Sequence, residues 1–128
     1  MNKSFYLYGS GGHSKVLIDI AKINKLSIKG LFDDDEKLWQ TEFYGIPVLG
    51  GLKTASELFQ DSSLFISIGC NNIRAEIVEK LLGYSYSFET LIHPNSVVSP
   101  SVKIASGSCL MAGAVVNAGT KIGTHCII

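Results

Sequence analysis

From residue 92 onward an aliphatic side chain returns at every sixth position: Ile92, Val98, Ile104, Leu110, Val116, Ile122 and Ile128. Four places after each of the first six stands a small or β-branched residue: Ser96, Val102, Ser108, Ala114, Thr120 and Cys126. An α-helix repeats at 3.6 residues and a strand at 2, so neither produces this period. A parallel β-helix does. Each hexad is a short strand plus a turn, and the aliphatic residue points inward at every layer. Gly107, Gly113, Gly119 and Gly123 suit the tight turns, and Pro94 and Pro100, also six apart, suit the first of them. The alternative is a β-sandwich of short strands, but sandwich strands vary in length and these hexads do not.

The residues before this repeat follow a different rhythm. Phe5 to Tyr8 is a short apolar strand, and Val16, Leu17, Ile20, Ala21 and Ile23 then recur at helical spacing. Ile28 to Phe32 reads as the next strand, Ile46 to Leu49 as another closed by Gly50 and Gly51, and Leu64 to Ile68 as a fourth ending at Gly69. Thr54 to Glu57 has the spacing of a capping box and predicts a short helix ending near Phe59. Asn71 or Asn72 can cap a helix whose apolar residues are Ile73, Ile77, Val78, Leu81 and Leu82. Strand and helix in alternation imply a parallel sheet with right-handed crossovers. The expected architecture is therefore α/β: a small Rossmann-like parallel-sheet domain over residues 1–90, followed over 91–128 by the start of a β-helix of hexapeptide repeats.

The stretch Gly9-Ser-Gly-Gly-His-Ser14 lies at the junction of the first strand and first helix. It fits G-x-G-x-x-small in the context that pattern needs. Free amides at a helix start attract phosphate, and glycines let it come close. Asp33, 24 residues after Gly9 and at the end of the second strand, can accept hydrogen bonds from ribose hydroxyls. Asp33 and Asp34 stand where the carboxyl edge of the sheet opens into a crevice, and Gly69 lines the same edge. His13, in the first turn of the helix, borders the phosphate position and is read as a ligand contact. A tight βα turn without a ligand is the plainer alternative. Asp35 and Glu36 read as a solvated turn, and Arg74 as a surface residue of its helix.

Other features narrow the chemistry by exclusion. Formal net charge is zero, which argues against non-specific nucleic-acid binding. No apolar run approaches membrane-spanning length, and Phe5 to Tyr8 is too short for a signal peptide. Cys70, Cys109 and Cys126 are odd in number and lack CxxC spacing, as expected for reduced packing residues of a cytoplasmic protein. His13, His93 and His125 lack metal-ligand spacing, so no metal is expected. His93, before Pro94, reads as structural. There is no G-x-S-x-G and no other Ser/His/Asp signature.

Together the glycine loop, the paired aspartates, "SIGCNNIR" (Ser67 to Arg74), "LIHPNSVVSPS" (Leu91 to Ser101) and the hexads resemble one family. These are the left-handed β-helix sugar acyltransferases, which include sialic acid O-acetyltransferases and UDP-4-amino-sugar N-acetyltransferases. The resemblance implies a Rossmann-like domain that binds a UDP-sugar or free sugar, a homotrimeric β-helix, and acetyl-CoA as co-substrate in bacterial surface-glycan biosynthesis. It implies substrate contacts at Gly11, Gly12 and His13, at Asp33 and Asp34 toward the nucleotide, at Gly69, and at Tyr86. In the family the general base is a histidine in a later hexad, within a stretch resembling "NTG…(D/E)H(D/E)C". The resemblance places that histidine beyond Ile128; His125 is out of register with it and is not assigned the role. The coils that form the acetyl-CoA groove also lie further on. By this reading the chain holds the substrate-binding part of an acetyltransferase without its base-bearing hexads, and is not itself active. Two other readings stay open here. One is a non-catalytic nucleotide-sugar-binding module whose hexads serve only to trimerise. The other is a nicotinamide-dependent oxidoreductase, which would need a larger sheet and a catalytic domain.

Overall fold

The computed structural model describes residues 4–58, 62–84 and 87–128. Strand β1 (Phe5–Tyr8) leads into helix α1 (Gly12–Ile23) and strand β2 (Ile28–Phe32). A 3-10 turn at Glu36–Leu38 precedes the hairpin strands β3 (Glu42–Phe43) and β4 (Ile46–Gly50). Helix α2 (Leu52–Ser56), strand β5 (Ser63–Ile66), helix α3 (Asn71–Leu81) and strand β6 (Ser87–Phe88) complete the α/β part. The sheet runs in the order β3-β4-β2-β1-β5-β6, parallel throughout except for the β3–β4 pair.

The central strands are largely apolar and buried toward their carboxyl ends because both faces of the sheet are covered there, while Lys29 of β2 is exposed. Side chains of alternate residues then serve two cores. Phe5, Leu7, Leu31 and Phe65 meet Leu17, Ile18, Ile20 and Ala21 of α1. Tyr8, Phe32, Leu64 and Ile66 meet Ala55 of α2 and Ile77 and Leu81 of α3. Helix α1 ends in a Schellman arrangement. The Leu26 amide donates to the Ala21 carbonyl at 2.8 Å, the Lys25 amide to Lys22 at 3.0 Å, and Lys25 takes φ +60° where glycine is usual.

Two helix starts differ from the sequence reading. Helix α2 begins at Leu52 after Gly51, before the Thr54 position expected to cap it. Thr54 instead leans over Gly50, where an added Cβ would lie 2.3 Å from its Oγ1, so the hydroxyl is used in packing. The expected end near Phe59 lies outside the described residues. Helix α3 is entered through Cys70 without a side-chain cap, because the Asn71 amide oxygen is engaged by Arg74.

The hexads wind as a triangular prism. Strands β7 (Leu91–Ile92), β8 (Val97–Val98) and β9 (Lys103–Ile104) form one coil; β10 (Cys109–Leu110), β11 (Val115–Val116) and β12 (Lys121–Ile122) form the next. Leu110 pairs with Ile92, Val116 with Val98 and Ile122 with Ile104, in parallel register. Each pair is 18 residues apart (110 − 92 = 18), three hexads to a coil. Leu110, Val116 and Ile122 share one buried column with Val98, Val102, Ile104, Ala114 and Cys126 against it. The corners turn through positive φ at Gly107, Gly113 and Gly119, each near +80°. The fourth corner is not Gly123, as the glycine spacing suggested, but His125 at φ +54°. Its ring fills the space a Cβ on Gly107, one coil below, would occupy, with Nδ1 only 2.4 Å from that position.

The three outer faces of the prism are dressed differently. Leu91 and Cys109 are fully buried and join the α1 core, with Ile127 packed on the same cluster. Val97 and Val115 stack on the second face and are about two-thirds exposed, at 64% and 65%. Lys103 and Lys121 stack on the third. The first face is thus what holds the prism against the α/β layer, aided by a hydrogen bond from the Asn24 side chain to the Ile92 carbonyl at 2.9 Å. Burial in that seam pushes the Cys109 thiol up to about 11, so it is an inert packing group.

Candidate functional site

From β1 the chain crosses through α1 to β2 and β4 on one side, then returns through α2 to β5 and β6 on the other. The order therefore reverses between β1 and β5, and open α/β sheets bind ligands at the carboxyl ends of the strands flanking such a switch. A cavity of about 290 Å³ lies there, lined by Tyr8, Gly11, Gly12, His13, Asp33, Asp34, Ser67, Ile68, Gly69 and Ile73. Six residues selected from the sequence, Gly11, Gly12, His13, Asp33, Asp34 and Gly69, meet in this one cleft. Tyr86 lies outside the described residues.

The glycines of the loop have unequal reasons to be glycine. Gly9 has φ +121°, and a Cβ there would stand 3.0 Å from the Ser67 carbonyl oxygen, so the protein's own packing requires it. Gly11 and Gly12 would meet nothing within 4 Å. The protein does not need the space their missing side chains leave, which opens on the cleft. Gly11 caps α1 without a side-chain bond, and helix geometry leaves the first amides without intrahelical partners. Ser14, the small residue of the motif, is fully buried; its hydroxyl donates to the Gly9 carbonyl at 2.7 Å and stands 2.9 Å from Ser67 Oγ. Ser67 in turn reaches the Tyr8 carbonyl at 3.0 Å. These contacts sew the loop to the ends of both switch-point strands.

Asp33 is more engaged than the sequence reading supposed. Its Oδ2 accepts from the Ser10 amide at 3.1 Å and the Ser10 hydroxyl at 2.6 Å, and its Oδ1 accepts from the Asp35 amide at 2.9 Å. It shapes the loop while presenting its remaining lone pairs to the cleft. Asp34 accepts from the Tyr8 hydroxyl. Trp39 Nε1 donates to the Asp33 carbonyl at 2.7 Å, and Gly51 is needed beneath the indole, since a Cβ would come within 2.7 Å of it. Tyr8, Ser10, Ser67 and Ile73 are not among the site residues the sequence singles out; the signals are a strand end for Tyr8 and Ser67, the loop for Ser10, and for Ile73 the first turn of α3.

His13 is half-buried, and its Nε2 is buried without a hydrogen-bond partner among the described residues. Desolvation, then the nearby Arg74 charge, lowers its pKa; the same two causes lower that of His125. Both imidazoles are therefore neutral at pH 7. Arg74 is not a surface residue. It is buried, and its guanidinium donates to the carbonyls of Ile68 and His125, each at 2.8 Å, and of Gly69 at 3.2 Å. His125 does not line the cleft; its ring meets Phe88 edge-on at 4.5 Å.

The lowered histidine pKa values set a pH dependence. Between the folded values and the ordinary value near 6.5, the unfolded chain binds more protons than the folded one. Stability therefore rises with pH through that window, is fully present above it, and falls on acidification below about pH 6.5. Urea midpoints measured from about pH 7.5 down to about 5.5 are expected to decline, and the decline to flatten in a His13→Gln, His125→Gln double variant.

An α/β layer with a glycine-edged cleft at its switch point, packed against a hexad prism, defines the class of β-helix proteins that carry a Rossmann-like layer. The family described as the PglD N-terminal domain matches residues 4–81, and the chain belongs to it. UDP-N-acetylbacillosamine N-acetyltransferase of Bacillus subtilis (strain 168) is 36% identical over 118 residues, covering 86% of this chain and 52% of that protein. A mutant of perosamine N-acetyltransferase from Caulobacter crescentus, solved with CoA and GDP-perosamine, superposes over the whole chain with a TM-score of 0.89 at 33% identity. The acetyltransferase domain of PglB from Neisseria gonorrhoeae FA1090, solved with acetyl coenzyme A, gives 0.85 at 30% identity. The chain spans 60% and 62% of those two solved chains, and about half the length of the Bacillus relative.

Proposed function

We propose that this chain is the nucleotide-sugar-binding part of an acetyl-CoA-dependent sugar acetyltransferase of bacterial surface-glycan biosynthesis, acting in the cytoplasm. The observation that carries the reading is the switch-point cleft, where Gly11 and Gly12 leave room that packing does not require. Free amides at the start of α1 suit a diphosphate. The carboxylates of Asp33 and Asp34 accept hydrogen bonds from hydroxyl or amino groups at the nucleotide end, and neutral His13 with the Gly69 edge faces the sugar. The relatives' names supply the sugar class, a nucleotide-linked amino sugar. The binding layer is assigned to residues 1–90 and the β-helix to 91–128. The exposed Val97 and Val115 stack is the surface on which copies associate, as a homotrimer.

In an enzyme of this kind the acceptor nitrogen or oxygen attacks the thioester carbonyl and gives its proton to a histidine base; the C–S bond then breaks, and the base hands the proton to the departing CoA thiolate. Within these residues the work is to hold the acceptor. Isothermal titration with a UDP- or GDP-linked 4-amino sugar is expected to show a dissociation constant below about 1 mM; absence of binding to either would overturn the assignment. A Gly12→Ala variant, whose new methyl meets only open space, should melt within about 2 °C of the parent. It should bind the ligand at least tenfold more weakly, a loss of about 1.4 kcal/mol.

A further inference from the structure

We propose that Arg74 is a positioning residue that links the cleft to the prism: its single guanidinium fixes the Gly69 wall of the cleft and the His125 corner of the second coil together. The inference rests on the nucleotide-sugar reading of the cleft. Its structural basis is the set of acceptors. Nη1 donates to the carbonyls of Ile68 and Gly69, both cleft residues, Nε donates to the His125 carbonyl, and Nη2 donates to Asn71 Oδ1. All four acceptors are neutral. A buried cation is usually matched by a carboxylate, whereas here the planar fork serves as a geometric jig for backbone carbonyls from two parts of the fold, 51 residues apart in the case of His125.

Both ends of this bridge are held to a defined position. A Cβ on Gly69 would stand 3.8 Å from His13 Cβ, so the wall abuts the residue whose Nε2 has no hydrogen-bond partner among the described residues. The His125 corner has a non-glycine residue at positive φ, its ring seated over Gly107 and against Phe88. Burial first, and then the Arg74 charge, lower the pKa values of both His13 and His125, consistent with the guanidinium standing between them. A shift of the Gly69 wall is therefore carried to the His125 corner through Arg74.

The test is amide NMR of the whole chain titrated with a UDP-linked 4-amino sugar. In the parent, saturation is expected to move the amides of Gly11, Gly12 and Gly69, and also those of Thr124, His125 and Cys126. Arg74→Lys keeps the charge but not the fork. It should bind about fivefold more weakly and, at equal saturation, lose most of the corner response while keeping that of Gly11 and Gly12. Asn71→Ala removes one of the four bonds and serves if Arg74→Lys fails to fold; it should reduce the corner response without abolishing it. Corner shifts of parental size in either folded variant, or a parent whose glycines respond while its corner stays still, would overturn the inference. If no amide of the parent moves, the nucleotide-sugar reading itself fails, which is a distinct result.

Discussion

Leu110→Ala is expected to lower the unfolding free energy by about 3 kcal/mol and the melting temperature by roughly 12 °C, the largest effect of any single truncation in the prism. Leu110 is fully buried, pairs with Ile92 below and shares its column with Val116 and Ile122. Its removal leaves a void that short rungs cannot close, because each rung is pinned by backbone pairs above and beneath. The control is Lys121→Ala on the exposed third face, expected to change stability by less than about 0.5 kcal/mol. Urea denaturation followed by circular dichroism measures both. Equal effects at the two positions would mean that the hexads do not stack around a common interior.

Asp33→Ala should be the most damaging change in the cleft. It strips the acceptor from the Ser10 amide, the Ser10 hydroxyl and the Asp35 amide together. Bonds to an ionised acceptor are worth more than neutral ones, and Ser10 is buried, so a stability loss of about 2 kcal/mol is expected. The loop that carries Gly11 and Gly12 then loses its shape, and affinity for a nucleotide-linked amino sugar should fall about 30-fold, the equivalent of 2 kcal/mol. Asp34→Ala removes the partner of the Tyr8 hydroxyl and should weaken binding with less effect on stability. Titration calorimetry together with urea midpoints separates the two. Unchanged affinity in Asp33→Ala would remove the aspartate from the binding assignment.

Much of this architecture is legible in the order of residues because it rests on periodicity. The six-residue recurrence specifies the column that Leu110 and Val116 occupy, and the strand-glycine-helix junction at Gly9 specifies where a crevice forms. The features that escaped are those decided by distant partners. Arg74 reads as a surface residue because nothing near it in sequence marks the His125 carbonyl as its acceptor. Ser10 looks like filler between glycines until β2 brings Asp33 beside it. Thr54 carries a capping signature, yet the close approach of Gly50 draws it into packing and the helix starts earlier. At the fourth corner the glycine two residues earlier was the natural choice, and the stacking of His125 over Gly107 outweighed the backbone preference.

The 18-residue register also restricts how such a chain can change in length during evolution. Loss of one residue within a rung would send the following aliphatic side chains outward. Loss of six would keep them inward but turn the prism by a third, presenting valine or lysine to α1 in place of Leu91 and Cys109. Only whole turns can be gained or lost without disturbing the seam, so descendants of this sequence should differ by multiples of 18 or by bulges confined to the corners.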